Sequence, residues 1–174
     1  MVMKSSHRPI SIPQIHLVPV KAEHKLAFQR AKSQLQEMLC VEVPEGWPQF
    51  PEAFEVRGED TLLSDLSPAF FFVCPGARAL VGNGGFAAPP DEAGEVEIGY
   101  EIAPPFRNMG YATVAARALV ELAFSRVEVS AVVAHTLAFE NASNSVLKKV
   151  GMTMTAELPN DDVGKVWKWR IGRA

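Results

Sequence analysis

Glu95-Val96-Glu97-Ile98-Gly99-Tyr100-Glu101-Ile102-Ala103-Pro104-Pro105-Phe106-Arg107-Asn108-Met109-Gly110-Tyr111-Ala112-Thr113 is the stretch on which the fold turns. Its first half alternates Val96, Ile98, Tyr100 and Ile102 against Glu95, Glu97, Gly99 and Glu101, the two-residue period of a strand with unlike faces. The double proline stops that strand. Beyond Gly110, Ala115, Ala118, Leu119 and Leu122 fall on one side of a helix predicted to reach about Arg126. A helix that starts this way leaves its first N–H groups unpaired, and its dipole adds positive potential there, which suits phosphate oxygens. Gly110 lets the backbone approach a bulky anion with no Cβ in the way, and Ala112 does nearly the same. The turn lacks the Lys-Ser/Thr of a Walker loop and the three spaced glycines of a dinucleotide fingerprint. A glycine in an ordinary strand-to-helix connection is the plainer alternative.

Outward from this stretch, short elements precede it and longer ones follow. Gln14 to Val20 reads as a strand, and Ala22 to Leu39 as one amphipathic helix carrying Phe28, Ala31, Leu35 and Met38. Val43 to Phe54 is broken by Pro44, Gly46, Pro48 and Pro51 and is aromatic at Trp47, Phe50 and Phe54. Ala69–Cys74 and Ala79–Phe86 form a predicted hairpin across Pro75 and Gly76. After the central helix come a buried strand over Val127 to Thr136, a short helix from Asn141 to Val150 stopped by Gly151, and two last strands, Met152 to Glu157 and Lys165 to Ile171. This order predicts one mixed α/β domain, residues 1–174, built on a central sheet.

Composition narrows the function classes. The 174 residues are 48% hydrophobic, enough for a real core, and a net charge of −3 argues against a protein that coats nucleic acid. Neither a membrane span nor an apolar leader is visible, so a cytoplasmic protein with no membrane partner is expected. Cys40 and Cys74 sit in no CxxC or His/Cys cluster and are expected to be reduced, small apolar residues. Charge is uneven along the chain: residues 1–105 carry 8 basic and 14 acidic groups, and residues 106–174 carry 9 basic and 6 acidic. That is the sense expected if the second part holds a polyanion and the first helps gather a cationic amine.

Glu97-Ile98-Gly99-Tyr100, Arg107-Asn108-Met109-Gly110-Tyr111-Ala112-Thr113, Asn141-Ala142-Ser143 and Val146-Leu147-Lys148-Lys149-Val150-Gly151-Met152 together resemble the GCN5-related N-acetyltransferase (GNAT) superfamily, and more narrowly its ribosomal-protein alanine acetyltransferase-like branch. Arg107, Gly110 and Ala112 fit that superfamily's Arg/Gln-x-x-Gly-x-Gly/Ala acyl-CoA motif. The resemblance implies a GNAT fold, with a central mixed, mostly antiparallel sheet, a splayed strand pair and flanking helices. It implies acetyl-CoA as co-substrate, with the pantetheine arm paired to backbone from Glu101 through Ile102 and Ala103 to Pro104. The pyrophosphate would rest on the amides of Arg107, Asn108, Met109, Gly110, Tyr111 and Ala112, with Arg107 adding a cation. Asn141 would hydrogen-bond the pantetheine and Ser143 would stand next to the thioester. The commonest pattern has Asn three residues before the Ser rather than two, and a helix N-cap is the other reading of Asn141.

Acyl transfer to an amine needs the amine neutral when it attacks, hence a base. Glu97 is the candidate: it lies ten residues before Arg107, close to the spacing of the catalytic glutamate in histone-acetylating relatives, on the strand face shared with Glu95 and Glu101. A solvated acidic face is the alternative. Many relatives protonate the leaving thiolate with a tyrosine on the last short helix. Here Leu147 holds that place, and Tyr100 and Tyr111 lie elsewhere, so Ser143 is the remaining donor.

His7, His16, His24 and His135 show no metal spacing, so no metal is expected. Trp167 and Trp169 alternating with Lys168 and Arg170 read as core packing rather than a nucleic-acid platform. Lys148 and Lys149 suit either the 3′-phosphate of the cofactor or a helix C-terminus. The expected function is acetyl transfer to a primary amine, on a small molecule or a peptide N-terminus. The acceptor is expected to enter between the Trp47/Phe50/Phe54 segment and the Pro159 to Gly164 loop. A homodimer through the last strands would be unsurprising. The alternative is a non-catalytic acyl-CoA sensor or an interaction domain.

Overall fold

The computed structural model describes residues 12–54 and 69–173. The elements are β1 (His16–Pro19), α1 (Ala22–Arg30), α2 (Lys32–Leu39), β2 (Ala69–Cys74), β3 (Ala79–Phe86), β4 (Glu95–Ile102), α3 (Tyr111–Phe124), β5 (Ala131–Leu137), α4 (Ala142–Val150), β6 (Thr153–Asn160) and β7 (Gly164–Gly172). They form a seven-stranded sheet in the order β1-β2-β3-β4-β5-β7-β6. Every neighbouring pair is antiparallel except β4 and β5.

Two cores lie on opposite faces of the sheet. In β2, Phe70 and Phe72 join a core with Val96, Ile98 and Ile102 of β4 and Leu119 of α3, while Phe71 joins Leu35 of α2, Trp47 and Phe54 on the other side. The period of two therefore distributes a run of three phenylalanines between both cores. Trp47 and Phe54, expected to wall the acceptor, are instead buried with Phe28 and Phe71; the Phe54 and Phe71 rings stack at 5.7 Å.

The predicted single helix over Ala22 to Leu39 is two helices, broken at Ala31, whose backbone is extended (φ −166°, ψ 140°). No glycine or proline marks the break. Tertiary contacts win over local propensity: α2 is redirected so that Gln36 Oε1 accepts from the Val43 N–H at 3.2 Å and Lys32 Nζ donates to the Pro44 carbonyl at 3.2 Å. Both cysteines are free, but Cys40 is exposed at the left-handed end of α2 rather than packed, and Cys74 is buried.

Candidate active site

The parallel pair is short. β4 and β5 are in register only from Glu95 to Glu97 against Ala131 to Val133, although both strands run several residues further. The backbone parity of β4 follows from two bonds to the other neighbour: Ala87 N–H donates to Glu97 C=O at 3.0 Å, and Ala103 N–H to Val81 C=O at 2.9 Å. Glu97, Gly99, Glu101 and Ala103 thus turn their peptide groups to β3, and Tyr100 and Ile102 turn theirs to the side from which β5 has departed. The expected backbone contact from Glu101 to Pro104 therefore shifts to Tyr100 and Ile102. Ala103 is fully buried with its carbonyl accepting from Phe106 N–H, and it does not border the gap.

This gap opens into a cleft of about 700 Å³ bordered by Ile102, Arg107, Asn108, Gly110, Tyr111 and Ala112, the centre of the predicted motif. Gly110, at φ +87°, precedes α3, and no side chain caps the helix. A residue with a Cβ is strained at that φ, so glycine is the residue that lets the first-turn amides of α3 point openly into the cleft. Arg107 Nε donates to the Ile102 carbonyl at 3.1 Å, which fixes its guanidinium at the rim. Met109 is 59% exposed and does not border the cleft. Tyr111 donates its hydroxyl to Cys74 Sγ at 3.4 Å; that bond, with burial, pushes its pKa up to about 12.

α4 closes the opposite side. Asn141 is its N-cap: Oδ1 accepts from Asn144 N–H at 3.1 Å, and Nδ2 donates to the Phe139 carbonyl at 2.9 Å. Its amide is occupied in shaping the turn, and it does not border the cleft, whereas Ser143 does. Tyr100, expected to lie away from the place of the proton donor, lines the cleft next to Ser143. Its hydroxyl is buried without a hydrogen bond of good geometry, and burial raises its pKa, so it stays protonated. Lys149 borders the cleft; Lys148 instead pairs with Glu140 at 3.1 Å and lies 5.9 Å from the Trp169 ring centre.

On the face of β4 away from α3, the three glutamates have three different settings. Glu95 accepts from Lys168 Nζ at 2.8 Å and Arg170 Nε at 2.6 Å. Glu97 Oε1 is 2.8 Å from His135 Nδ1, and its side chain is 41% exposed and outside the cleft lining. Glu101 does line the cleft; its Oε2 accepts from the Gln49 N–H at 2.9 Å. Phe50 is the one member of the predicted aromatic trio that reaches the cleft, and the Pro159 to Gly164 turn does not border it. His7 lies outside the described residues. Among the described residues no group of three His, Cys, Asp or Glu side chains could hold a metal ion, and no helix is long and apolar enough to cross a membrane.

A sheet parted beside an uncapped, glycine-led helix start is the geometry around which the cleft is built. Residues 14–153 match the model of the Acetyltransferase (GNAT) domain, and the chain belongs to that family of N-acetyltransferases. The uncharacterized N-acetyltransferase YjdG of Bacillus subtilis (strain 168) is 36% identical over 75 residues, 43% of this chain. The match spans 45% of that relative's length. Among solved structures, the GNAT-family acetyltransferase from Bacillus anthracis superposes with a TM-score of 0.63 at 20% identity, covering 93% of this chain and 96% of that one. RimL, a ribosomal L7/L12 α-N-protein acetyltransferase in complex with coenzyme A, gives 0.63 at 18% identity, covering 94% and 96%. At these identities the structural likeness concerns the fold.

Proposed function

We propose that this chain transfers the acetyl group of acetyl-CoA to a primary amine on a small molecule or a protein N-terminus. The observation that carries the reading is the parting of β4 from β5 directly beside the open amides of α3. When bound, acetyl-CoA supplies the acetyl group as an activated thioester. The Tyr100 peptide group and the Ile102 N–H would pair with the pantetheine, the Ile102 carbonyl being held by Arg107. The amides from Arg107 through Gly110 to Ala112, with Asn108 and Met109 in the same turn, would take the pyrophosphate, and Arg107 and Lys149 would add positive charge. Asn141 would act by fixing the start of α4 rather than by touching the cofactor. Ser143 on the cleft wall, with the buried Tyr100 hydroxyl beside it, would be a source of the proton that the leaving sulfur needs. Glu97, paired with His135 on the opposite face, would draw the proton from the amine through water. A non-catalytic sensor would need the α3 cradle but neither the hydroxyls nor the carboxylate.

Thermal shift and thiol release test this separately. Acetyl-CoA at about a hundred times its Kd should stabilise the protein by about 2.7 kcal/mol. Gly110→Glu, which forces a side chain onto a left-handed backbone at φ +87°, with its Cβ toward Pro13, and sets a negative charge beside the first amides of α3, should remove that shift while circular dichroism of the free protein stays unchanged. Stabilisation equal to wild type would refute the pyrophosphate site, and thiol release with no amine in the panel would leave only a sensor.

A further inference from the structure

Glu101 is more than nine-tenths buried, at 8% exposure, and one of its two carboxylate oxygens has no partner. Oε2 is held by the Gln49 N–H, while Oε1 makes no hydrogen bond, and no described Lys, Arg or His pairs with it. Its cross-strand neighbour Asn83 accepts from Trp47 Nε1 through Oδ1 at 2.7 Å, and its amide nitrogen makes no bond to Oε1. A buried carboxylate oxygen left open is costly unless something binds it. Among the described residues Glu101 is also the one acidic side chain on the cleft wall, where the other charged groups are the cations Arg107, in the turn before α3, and Lys149 of α4. It stands on β4 beside Gln49 and Phe50, apart from the helix start that suits phosphate.

We propose that Glu101 Oε1 anchors a positively charged nitrogen of the acceptor, and that the acceptor is a small amine carrying a second ammonium group besides the nitrogen that is acetylated. This rests on the acetyl-transfer reading and names the substrate class within it. The anchored nitrogen is not the nucleophile, because an adjacent buried carboxylate favours the charged form, whereas the attacking nitrogen must be neutral. An acceptor with a remote carboxylate would meet Glu101 as a like charge and be rejected.

The test is steady-state acetylation of α,ω-diamines of three to eight methylenes, each against the monoamine and the ω-amino acid of the same length, with Glu101→Gln and Glu101→Asp in parallel. Glutamine keeps the volume and an acceptor for Gln49 but removes the charge. At the best length wild type should favour the diamine over the monoamine in kcat/KM by about tenfold or more, and over the amino acid by still more. In Glu101→Gln the preference should collapse to within about threefold through KM, with acetyl-CoA affinity within about twofold of wild type, and Glu101→Asp should recover part of it. Wild type that takes monoamines as well as diamines, or a glutamine variant that keeps the preference, overturns the anchor. If Glu101→Gln fails to fold, the wild-type series decides alone. Acetyl-CoA binding with no turnover of any member overturns this substrate class, whereas no acetyl-CoA binding overturns the reading beneath it.

Discussion

Tyr100 stands on β4 among Val96, Ile98 and Ile102, so its alternation assigns it to the core, and half of that assignment is right. Its ring packs there, but the residue also lines the cleft and its buried hydroxyl lies beside Ser143, which is 43 residues later in the chain. No local pattern encodes that meeting; it needs β4 and α4 to be placed first. Ser143, in contrast, is legible as a polar residue at a helix start. The two hydroxyls and Glu97 make separate predictions for proton handling. Removing a donor with Tyr100→Phe, and more so with Tyr100→Phe plus Ser143→Ala, should lower kcat by about ten- to a hundredfold with acetyl-CoA affinity unchanged. Removing the base with Glu97→Gln should lower kcat/KM for the amine by about ten- to a hundredfold, again with acetyl-CoA affinity unchanged. Steady-state kinetics of wild type and the variants check this, and an unchanged kcat/KM in Glu97→Gln would assign the base elsewhere.

The parting of β4 from β5 is the element-scale device of this fold, and it must be held firmly at its closed end. Three residue pairs join the strands there, and Ser130 continues the joint by donating its hydroxyl to the Ala93 carbonyl at 2.7 Å. Glu95 reaches across β5 to Lys168 and Arg170 of β7, clamping three strands at the hinge of the gap. The hydrogen bond from Lys168 first, and that from Arg170 next, hold the Glu95 pKa below its ordinary 4.5. A carboxylate depressed on folding adds stability above its unfolded pKa and loses it as pH falls through the lower folded value. Glu95→Gln should therefore lower the melting temperature by about 2 °C at pH 7, from a partly exposed pair worth about 1 kcal/mol or less. That difference should shrink and then vanish as pH falls through the depressed folded pKa of Glu95 and wild type is protonated too; melting curves across pH check it. The elements themselves were largely readable because each rests on a period: two for β4, about 3.6 for α3, and a glycine at φ +97° for the stop of α4. The break between α1 and α2 was not readable, since Ala31 carries no breaker and the cause lies in Gln36 and Lys32 bonding to a segment beyond the helix. The short extent of β4–β5 pairing is equally silent in the strand sequences, and resemblance through Arg107, Gly110 and Ala112 supplied it.

At the scale of the whole molecule, the sheet separates two cores, and the segment from Val43 to Phe54 connects the second core to the cleft. Composition showed this segment to be aromatic but not which rings face inward. Trp47, at 2% exposure, packs edge-on against Phe28 and Phe71 and donates Nε1 to Asn83 on β3, and two residues later Gln49 holds Glu101. The core of one face thereby sets the position of the carboxylate on the cleft wall. Trp47→Phe keeps most of the apolar surface but leaves Asn83 Oδ1 buried without its donor, a loss of about 1–3 kcal/mol. If the segment acts as a brace, the variant should melt several degrees lower and raise KM for the amine about three- to tenfold, with KM for acetyl-CoA near wild type, because the α3 cradle lies on the other side of β4. Steady-state kinetics varying each substrate in turn measure the split. Equal rises in both KM values would mean that the second core supports the fold as a whole and has no separate hold on the acceptor side.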